Sequence, residues 1–264
     1  MSIPVLQGKC ALITGSTQGL GLAAAKRFAA AGCNVVLNGF GDEQAIEAMR
    51  ARIEEEYGVR ALYSNADLSD AGQIERLVSA AVETFGTVDV LVNNAVVRHQ
   101  SPLEAFPPEA WEYGLAVNLS AAFHTIRLAL PGMRRRNWGR IINVSSIYGL
   151  IGGVNRINYV VSKTALIGMT RAVALETRGQ EITCNAICPG TVETPIHANA
   201  LEQLMATESL SRIDAERRYL ETRQPGGHFI SAEHVAGMMV FLCGPEGRDI
   251  TGAALPIDGG WSVQ

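Results

Sequence analysis

The residues best suited to chemistry in this chain are Tyr159 and Lys163, which lie four positions apart. On a helix this spacing places both side chains on one face, about one turn apart. An ammonium group stabilises a nearby phenolate, and lowering a tyrosine pKa from ~10 to roughly 7 requires about 4 kcal/mol of such stabilisation. Lys163 and a second cation would together make Tyr159 a usable base. The same pair also arises by chance in many helices, so its meaning depends on the rest of the chain.

Two adjacent serines, Ser145 and Ser146, end the apolar run Arg140–Val144, which is typical of a buried strand. A hydroxyl at the end of such a strand can point at a substrate oxygen. The stretch from Asn143 to Lys163 therefore combines a candidate base, a candidate cation and a candidate hydroxyl donor.

Length and composition indicate one large α/β domain. The chain has 264 residues, of which 47% are hydrophobic, so it can bury a sizeable core. Its net charge of −4 argues against binding to nucleic acid or to a membrane surface, because both favour a basic patch. No apolar run reaches transmembrane length, and the N-terminal residues lack the pattern of a signal peptide.

The five cysteines predict a reducing compartment. Cys10, Cys33, Cys184 and Cys188 lie in strand-like or small-residue contexts, which is typical of buried thiols in a cytoplasmic protein. Cys184 and Cys188 lie on one strand-like run without a partner pair, so no metal site is expected.

Strand-like apolar runs alternate with segments of 3.6-residue period along the whole chain. The predicted strands are Cys10–Thr14, Asn34–Asn38, Ala61–Tyr63, Val88–Val92, Arg140–Val144, Ile182–Ile187 and Ala254–Ile257. The predicted helices include Ala23–Ala31, Glu43–Tyr57, Gln73–Phe85 and Trp111–Leu130. This alternation predicts an α/β fold with a doubly wound parallel sheet of the Rossmann type and helices on both faces. No linker or repeat divides the sequence, so residues 1–264 are expected to form a single domain.

A glycine-rich turn at residues 14–21 follows the first predicted strand and opens a helix. Gly15 permits a tight turn, Gly19 leaves space for a pyrophosphate, and Gly21 permits close packing of the helix on the strand. The helix N-terminus offers free N–H groups and the positive end of its dipole to phosphates. The spacing is one residue longer than the commonest fingerprint, but its place between the first strand and the first helix predicts a dinucleotide site.

The end of the second strand predicts the cofactor preference. Asn38 stands where dinucleotide folds meet the adenosine ribose. The nearby positions that would receive a 2′-phosphate hold no Arg or Lys; they are Ser16, Thr17, Gln18, Gly39 and Phe40. This pattern favours NAD over NADP. Phe40 either covers the adenine or is an ordinary turn aromatic, and Asp67 either bonds the adenine amino group or caps the helix before Gln73.

Asparagines follow the fourth strand. Asn93 and Asn94 can fix the backbone at the carboxyl edge of the sheet, where ligands bind in such folds. Asn118 lies in the middle of an apolar helical run and is expected to be buried, and an unpartnered buried amide costs roughly 1–3 kcal/mol. We therefore expect Asn118 either to satisfy local backbone groups or to serve the site.

Taken together, these motifs resemble the short-chain dehydrogenase/reductase family over nearly the whole chain. The matching pieces are residues 14–21, Asp67, residues 93–95, Asn118, Ser146, Tyr159, Lys163 and residues 188–195, with the usual separation of thirteen positions between Ser146 and Tyr159. The resemblance implies that Tyr159 is the catalytic acid and base, that Lys163 holds the nicotinamide ribose and lowers the Tyr159 pKa, and that Ser146 polarises the substrate oxygen. It also implies that Asn118 anchors a water in a proton relay and that residues 191–194 bracket the nicotinamide amide.

The same resemblance implies an NAD site. Its cofactor-binding residues would be Gly15, Thr17, Gln18, Gly19, Leu20, Asn38, Asp67, Leu68, Asn93, Ala95, Tyr159, Lys163, Pro189, Gly190, Val192 and Thr194. One position departs from the family pattern, because Val96 replaces the usual glycine and narrows the space beside the cofactor.

A closer resemblance, carried by residues 36–42, 174–190 and 222–231, is to D-3-hydroxybutyrate dehydrogenases. In that subfamily Gln, His, Lys and Gln side chains hold the substrate carboxylate. The matching positions here are Arg98, Tyr148, Arg156 and Ala200. Arg156 keeps the positive charge, so an anionic substrate is implied although none of the four residues is retained. The expected substrate-binding residues are Arg98, Ser146, Tyr148, Arg156 and Tyr159.

A polar, helix-prone insertion occupies residues 194–228, between Pro195 and Pro225. An insertion of this size beside an active site usually acts as a lid, and the alternative is an oligomer contact. The family resemblance also implies a homotetramer.

The sequence thus predicts a cytoplasmic, NAD-dependent enzyme that interconverts a short-chain hydroxy acid and its keto acid, without nucleic-acid or membrane partners. One alternative is a member of the same family that acts on another anionic substrate, such as a sugar acid or a 3-oxoacyl group. The other is a catalytically silent nucleotide-binding protein on the same fold. The complete set of Asn118, Ser146, Tyr159 and Lys163 argues against this second alternative.

Overall fold

Parallel strands with apolar side chains on both faces form the centre of the computed structural model, which describes residues 5–193, 195–221 and 224–263. For residues 195 and 196 only the backbone is described. The described residues form seven strands: β1 (Cys10–Ile13), β2 (Asn34–Asn38), β3 (Ala61–Ser64), β4 (Val90–Asn93), β5 (Gly139–Val144), β6 (Ile182–Pro189) and β7 (Ala254–Ile257). Every predicted strand is present, with ends that differ by at most two residues.

The strands pair in the order β3-β2-β1-β4-β5-β6-β7, and each pairing is parallel. Leu12 of β1 lies between Val36 of β2 and Leu91 of β4. The strand order therefore reverses between β1 and β4, and open sheets of this kind bind ligands at such a switch point, outside the carboxyl ends of the strands. The predicted doubly wound parallel sheet is confirmed.

Helices connect the strands and cover both faces of the sheet. In the described residues they are α1 (Gly19–Ala30), α2 (Glu43–Tyr57), α3 (Ala71–Phe85), α4 (Pro108–Leu115), α5 (Ala121–Arg136), α6 (Ile157–Glu176), α7 (Pro195–Glu208), α8 (Arg212–Leu220) and α9 (Ala232–Cys243). The predicted single helix Trp111–Leu130 is wrong in one respect. It consists of α4 and α5 joined by a π-helical turn over Ala116–Ser120, and such turns often occur at functional sites.

Two hydrophobic cores lie on opposite faces of the sheet. Phe28 of α1 and Met239 of α9 belong to one core, and Leu77 of α3 and Met133 of α5 belong to the other. Because both faces are covered, the strands are nearly continuous apolar runs rather than alternating ones. All five cysteines are free, buried thiols, including the four that were predicted to be buried. Within the described residues, no helix is both long enough and apolar enough to cross a membrane.

Aspartates begin two of the helices that follow strands. Asp42 accepts a 2.8 Å hydrogen bond from the Ala45 N–H at the start of α2. Asp70 accepts hydrogen bonds from the Gly72 and Gln73 N–H groups at the start of α3. The capping role considered for Asp67 is therefore wrong, because Asp70 takes it.

The insertion after β6 is folded as the α7–α8 helix pair with a small core of its own. That core consists of Leu201, Ala215, Leu220 and Phe229. After α8, the chain returns to the end of β6, where the Ile230 N–H donates a 2.9 Å hydrogen bond to the Thr191 carbonyl. The buried Gln224 side chain accepts from the Thr191 N–H at 2.8 Å and donates to the His228 carbonyl. The helix pair is thus anchored beside the carboxyl edge of the sheet.

Candidate active site

A cavity of about 500 Å³ lies outside the carboxyl ends of the strands, at the switch point between β1 and β4. Its volume is within the ~300–1,000 Å³ typical of small-molecule sites. Most of the predicted cofactor residues line it, namely Gly15, Thr17, Gln18, Gly19, Leu20, Asn38, Asp67, Leu68, Ala95, Tyr159, Lys163, Pro189, Gly190 and Val192.

Two predicted cofactor residues are not among the described residues that line this cavity. Thr194 lies outside the described part of the chain. The Asn93 amide donates to Asn143 Oδ1 at 2.9 Å, and its oxygen accepts from Thr125 Oγ1 at 2.7 Å. Asn93 therefore joins β4 to β5 and α5 inside the protein, rather than facing the cavity.

Two glycines and an asparagine shape the turn between β1 and α1. Gly15 has a φ of +62°, and a Cβ there would lie 2.8 Å from the Ala95 Cα, so only glycine fits. A Cβ on Gly21 would lie 2.1 Å from the Gly15 carbonyl oxygen, which agrees with the close packing predicted for this position. The Asn94 amide donates 2.9 Å hydrogen bonds to the carbonyls of Thr14 and Gly15 and so fixes the turn against the end of β4.

The N-terminus of α1 faces the cavity. Its N-cap residue, Gln18, makes no capping hydrogen bond within the described residues, and the first turn carries no acidic side chain. At Gly19 the space that a Cβ would occupy is open. The free N–H groups and the helix dipole therefore suit the binding of a phosphate anion.

The Asn38 side chain makes hydrogen bonds to backbone groups that its position in the sequence does not indicate. Its Oδ1 accepts a 3.3 Å hydrogen bond from the Gly15 N–H. Its Nδ2 donates to the carbonyls of Ser64 and Ala66 at 3.2 and 3.0 Å. The side chain lines the cavity, but its amide joins the β1–α1 turn, β2 and the end of β3.

The turn after β2 presents Phe40 at the cavity mouth. Gly39 has a φ of +148°, and a Cβ there would lie 2.7 Å from Thr17 Oγ1. The Tyr63 hydroxyl donates to the Gly39 carbonyl at 2.9 Å, and Thr17 Oγ1 donates to the Phe40 carbonyl at 3.1 Å. These contacts hold the turn while the Phe40 side chain stays 62% exposed.

Tyr159 and Lys163 lie one turn apart on α6, and both line the cavity. Lys163 is only 2% exposed, and its Nζ donates a 2.7 Å hydrogen bond to the Val144 carbonyl at the end of β5. The ammonium nitrogen lies 5.7 Å from the centre of the Tyr159 ring. The strand end thus fixes the cation beside the phenol.

Burial and neighbouring groups set the pKa of Tyr159. Burial alone would raise this pKa, because a buried phenolate loses hydration. The charges of Arg98 and Lys163, together with hydrogen bonds from Ser146 and Arg98, outweigh burial and hold the pKa of Tyr159 below its ordinary value. Burial lowers the pKa of Lys163; the Tyr159 phenolate opposes this change, and the Arg98 charge adds to it.

The two serines after β5 have different roles. Ser146 begins a short 3-10 turn, and its hydroxyl accepts a 3.2 Å hydrogen bond from the Tyr148 N–H and faces Tyr159. The Ser145 hydroxyl donates to the Lys163 carbonyl at 2.7 Å and thereby ties α6 to β5. Ser146 is therefore the serine placed to act on a substrate oxygen.

Asn118 holds the loop after β4. It lies in the π-helical turn and is 3% exposed. Its Oδ1 accepts from the Val97 N–H at 2.8 Å, and its Nδ2 donates to the Val97 carbonyl at 2.9 Å. Of the two roles considered for Asn118, the satisfaction of backbone groups is present. Val96 lines the same wall and is not among the described residues with positive φ, so the backbone path accommodates valine.

Aromatic and arginine side chains form the wall beside Tyr159. The Tyr148 ring lies edge-on to the rings of Tyr159 and Trp261, at centroid distances of 6.1 and 5.5 Å. The Arg156 guanidinium lies 5.2 Å from the centre of the Tyr148 ring, and that of Arg98 lies 5.3 Å from the centre of the Tyr159 ring. The predicted substrate residues therefore lie close together, and Arg98, Ser146 and Tyr159 line the cavity itself.

Two loops meet at Arg156. With the Gln100 amide oxygen turned toward it, both terminal guanidinium nitrogens donate to that oxygen, at 3.1 and 3.2 Å. The Ser101 N–H donates to the Asn155 carbonyl at 3.2 Å. The loop after β4 and the loop before α6 thus form one continuous wall.

The sequence pattern gives no sign of two further residues of this wall. Trp261 follows β7 in a 3-10 turn that Asp258 fixes by accepting hydrogen bonds from two backbone N–H groups. His197 of α7 lines the cavity, forms a 2.7 Å hydrogen bond through Nδ1 with the Val192 carbonyl and stacks on Phe229. A lone tryptophan and a lone histidine carry no local signal, because only the topology brings them to the site.

The cavity fits a dinucleotide cofactor. Gly15, Gln18 and Gly19 would hold the pyrophosphate on the uncapped end of α1. Asp67 would lie at the adenosine end, where its carboxylate accepts hydrogen bonds from the Ser69 N–H and hydroxyl at 2.9 and 2.8 Å. The other end is occupied by the acid–base pair.

Comparison with known proteins agrees with this geometry. Residues 9–205 match the family model described as short chain dehydrogenase. The chain is 44% identical to D-beta-hydroxybutyrate dehydrogenase of Cupriavidus necator, over 98% of this chain and 100% of that protein. It is 39% identical to D-beta-hydroxybutyrate dehydrogenase of Rhizobium meliloti, over 97% of this chain and 99% of that protein.

A solved structure extends the comparison to the fold. L-sorbose reductase of Gluconobacter frateurii, complexed with NADPH and L-sorbose, matches with a TM-score of 0.93 and 29% identity over 100% of both chains. The predicted family, the closer subfamily resemblance and the fold are thereby confirmed. The chain belongs to the short-chain dehydrogenase family and is an oxidoreductase that uses a nicotinamide cofactor and acts on the CH–OH group of a hydroxy substrate or on the carbonyl of the matching keto substrate.

Proposed function

We propose that this enzyme is an NAD-dependent dehydrogenase that interconverts a short-chain hydroxy acid, of the 3-hydroxybutyrate type, and its keto acid. The observation that carries the proposal is the placement of two guanidinium groups, Arg98 and Arg156, on the rings of Tyr159 and Tyr148. A guanidinium binds a carboxylate through two parallel hydrogen bonds. The two relatives that are named D-beta-hydroxybutyrate dehydrogenases support the same substrate class.

The proton transfers follow from the side chains of the site. In oxidation, the Tyr159 phenolate accepts the proton of the substrate hydroxyl, while the Ser146 hydroxyl donates a hydrogen bond to the same oxygen. In reduction, Tyr159 returns that proton. The Lys163 side chain lies beside the ring and is assigned to the nicotinamide ribose. The nicotinamide cofactor, when bound, accepts or supplies the hydride.

NAD is proposed because the described residues at the adenosine end of the cavity offer no cation to a 2′-phosphate. Among the described lining residues at this end, none is Lys or Arg, and Asp67 adds a negative charge. A phosphate would therefore lose hydration there without gaining a cation. The exposed Phe40 ring is proposed to cover the adenine.

The α7–α8 helix pair is proposed to act as a lid over the substrate, within a single catalytic domain that spans residues 1–264. Support comes from its anchorage at the end of β6 through Gln224 and from the presence of His197 in the cavity wall. Lids of this kind exclude water from the reaction and commit the substrate.

A homotetramer in the cytoplasm is proposed as the working form. Phe123 of α5 and Leu175 of α6 are 52% and 68% exposed, which supports a contact between copies of the chain. The five free, buried thiols support a reducing compartment. Sedimentation equilibrium tests the assembly, and a monomer at working concentration would contradict it.

The substrate proposal is tested with a panel of hydroxy acids of increasing length, each paired with its neutral methyl ester, by following NADH absorbance. A charge-assisted hydrogen bond contributes about 1.5–3 kcal/mol, which is about ten- to a hundredfold in binding. Arg156→Ala and Arg98→Ala should therefore raise KM for the acid far more than for the ester. Arg52→Ala, which removes an exposed arginine of α2 that does not line the cavity, is the matched control.

Two outcomes would redirect the proposal. If Arg156→Ala and Arg98→Ala each change KM by the same factor for the acid and for its ester, the arginines do not bind the carboxylate. If the hydroxy acids stay unreactive while a sugar acid is oxidised or a 3-oxoacyl thioester is reduced, the enzyme acts on a different anionic substrate of the same family.

A further inference from the structure

Arg98 and Lys163 approach Tyr159 from different parts of the fold. Lys163 lies on α6 with the tyrosine, and its Nζ is 5.7 Å from the ring centre. Arg98 comes from the loop after β4, and its guanidinium carbon is 5.3 Å from the same ring centre. The phenol is therefore in contact with a cation that its own helix does not supply.

The position of Arg98 is built into the fold. Arg98 follows Val97, whose N–H and carbonyl groups are both held by the buried Asn118 amide, at 2.8 and 2.9 Å. On the other side, the same loop is joined to the loop before α6 through the hydrogen bond between Ser101 and Asn155. A backbone held at both ends limits where the guanidinium can go, so the contact with Tyr159 is more than a chance surface arrangement.

We propose that Arg98 is a second cation for Tyr159, so that the phenolate forms within reach of both the guanidinium and the Lys163 ammonium. The inference rests on the proposed role of Tyr159 as the acid–base group, and it adds a positioning role to the one that Arg98 has toward a substrate carboxylate. Two fixed cations stabilise the phenolate before any cofactor binds. Tyr159 is then deprotonated at a lower pH than Lys163 alone would allow.

Other groups also surround the phenol and its lysine. The Ser146 hydroxyl and the Tyr148 ring contact Tyr159 from the segment after β5. Cys188 of β6 acts to raise the pKa of Lys163, and His197 of α7 lines the same cavity. These groups are unchanged in Arg98→Gln, so a difference between that variant and the wild type reports on Arg98.

The first test is the pH dependence of kcat/KM for alcohol oxidation. Oxidation needs the phenolate, so the rate rises with pH through the pKa of Tyr159. In Arg98→Gln the midpoint should move to higher pH. An opposite charge within ~4–6 Å lowers a pKa by about one unit or more, so its loss should decrease the phenolate fraction, and with it kcat/KM at neutral pH, by about tenfold. The shift should appear with both the acid and its methyl ester, and Arg98→Lys should keep most of the wild-type midpoint.

Arg156→Gln is the matched control. Its guanidinium lies on Tyr148 rather than on Tyr159, so the midpoint should stay at the wild-type value while KM for the acid rises. A change in KM without a change in midpoint is the signature of substrate binding alone. A change in midpoint for the neutral ester is the signature of an effect on Tyr159.

The second test needs no substrate. The ultraviolet absorbance of tyrosinate is titrated in the wild type and in Tyr159→Phe, and their difference isolates Tyr159 from the other five of the six tyrosines. The same difference is measured in the Arg98→Gln background. Tyr159 should ionise at higher pH when Arg98 is absent.

The outcomes separate this inference from the proposed function. If the tyrosinate difference titrates at the same pH with and without Arg98, the inference is overturned even if hydroxy acids are oxidised. The same conclusion follows if Arg98→Gln changes only KM for the acid. If no hydroxy acid reacts but the tyrosinate midpoint moves upward in Arg98→Gln, the inference stands and only the substrate proposal fails.

Discussion

Replacement of Asn118 with alanine tests how the cavity wall is held. The Asn118 amide accepts from the Val97 N–H at 2.8 Å and donates to the Val97 carbonyl at 2.9 Å, and the side chain is buried. Its loss leaves two backbone groups without partners, at about 1–3 kcal/mol each. Val97 is half-buried, so water replaces part of the loss. The expected decrease in the free energy of unfolding is about 2–3 kcal/mol.

The assay is urea denaturation at a fixed protein concentration, because an assembly makes apparent stability depend on concentration. The slope m should stay at the wild-type value if only stability changes. Ser120→Ala, an exposed position in the same π-helical turn, is the control and should change stability by less than about 0.5 kcal/mol. Asn118→Asp keeps an acceptor for the Val97 N–H but faces the Val97 carbonyl with a carboxylate oxygen, so it should not rescue stability.

The catalytic consequence is measured on the same proteins. Since Arg98 follows Val97, Asn118→Ala should also lower kcat/KM, whereas Ser120→Ala should leave it unchanged. A loss of stability below about 0.5 kcal/mol in Asn118→Ala would refute the accounting of the two hydrogen bonds. Normal kcat/KM in a destabilised Asn118→Ala protein would show that the amide supports the fold but not the site.

Three further predictions concern the catalytic pair, the cofactor and the glycine turn. Tyr159→Phe should abolish turnover and leave cofactor affinity nearly unchanged, whereas Lys163→Ala should decrease both turnover and cofactor affinity. Fluorescence titration with NADH measures the affinity separately from turnover. Turnover of Tyr159→Phe within tenfold of wild type would contradict the assignment. Phe40→Arg should shift catalytic efficiency toward NADP, because a guanidinium would meet the 2′-phosphate. The same substitution at Gly39 should instead lower thermal stability, since φ is +148° and a Cβ would lie 2.7 Å from a neighbouring hydroxyl oxygen; equal stability of the two variants would refute this distinction. Gly21→Ala should abolish cofactor binding in isothermal titration, because its Cβ would lie 2.1 Å from a backbone carbonyl oxygen; binding with wild-type affinity would show that the turn can move aside.

The strands and the glycine turn could be predicted because their signals are local. Each strand is a short apolar run, and an apolar run of four to eight residues between turns is typical of a fully buried strand. Glu43–Tyr57 was predicted with both ends correct, and the structure shows that Asp42 is its N-cap and Gly58 its left-handed C-cap. The π-helical turn could not be predicted, because the apolar pattern runs through it without a break and the partner of its Asn118 lies on a loop twenty-one residues away in sequence.

The roles of the asparagines show where residue type and position are not sufficient. Asn38 and Asn93 stand at strand ends that face a ligand in such folds, and both were expected at the cofactor. In the folded chain Asn93 bonds Asn143 and Thr125, and Asn38 bonds three backbone groups. An amide offers donors and acceptors to whichever partner lies closer, and only the packing of neighbouring strands decides between backbone and ligand.

Trp261 provides an intrinsic fluorophore at the substrate end of the cavity. It is one of three tryptophans, and its indole lies against Tyr148, one ring removed from Tyr159. Trp138, by contrast, directly precedes β5, at the amino edge of the sheet, and lies between Lys9 and Arg140. The emission of Trp261 should therefore respond when the site is filled, and excitation energy can pass from it to a reduced nicotinamide. With the other two tryptophans replaced by phenylalanine, the protein would carry its own optical probe of ligand arrival and departure, without an added dye.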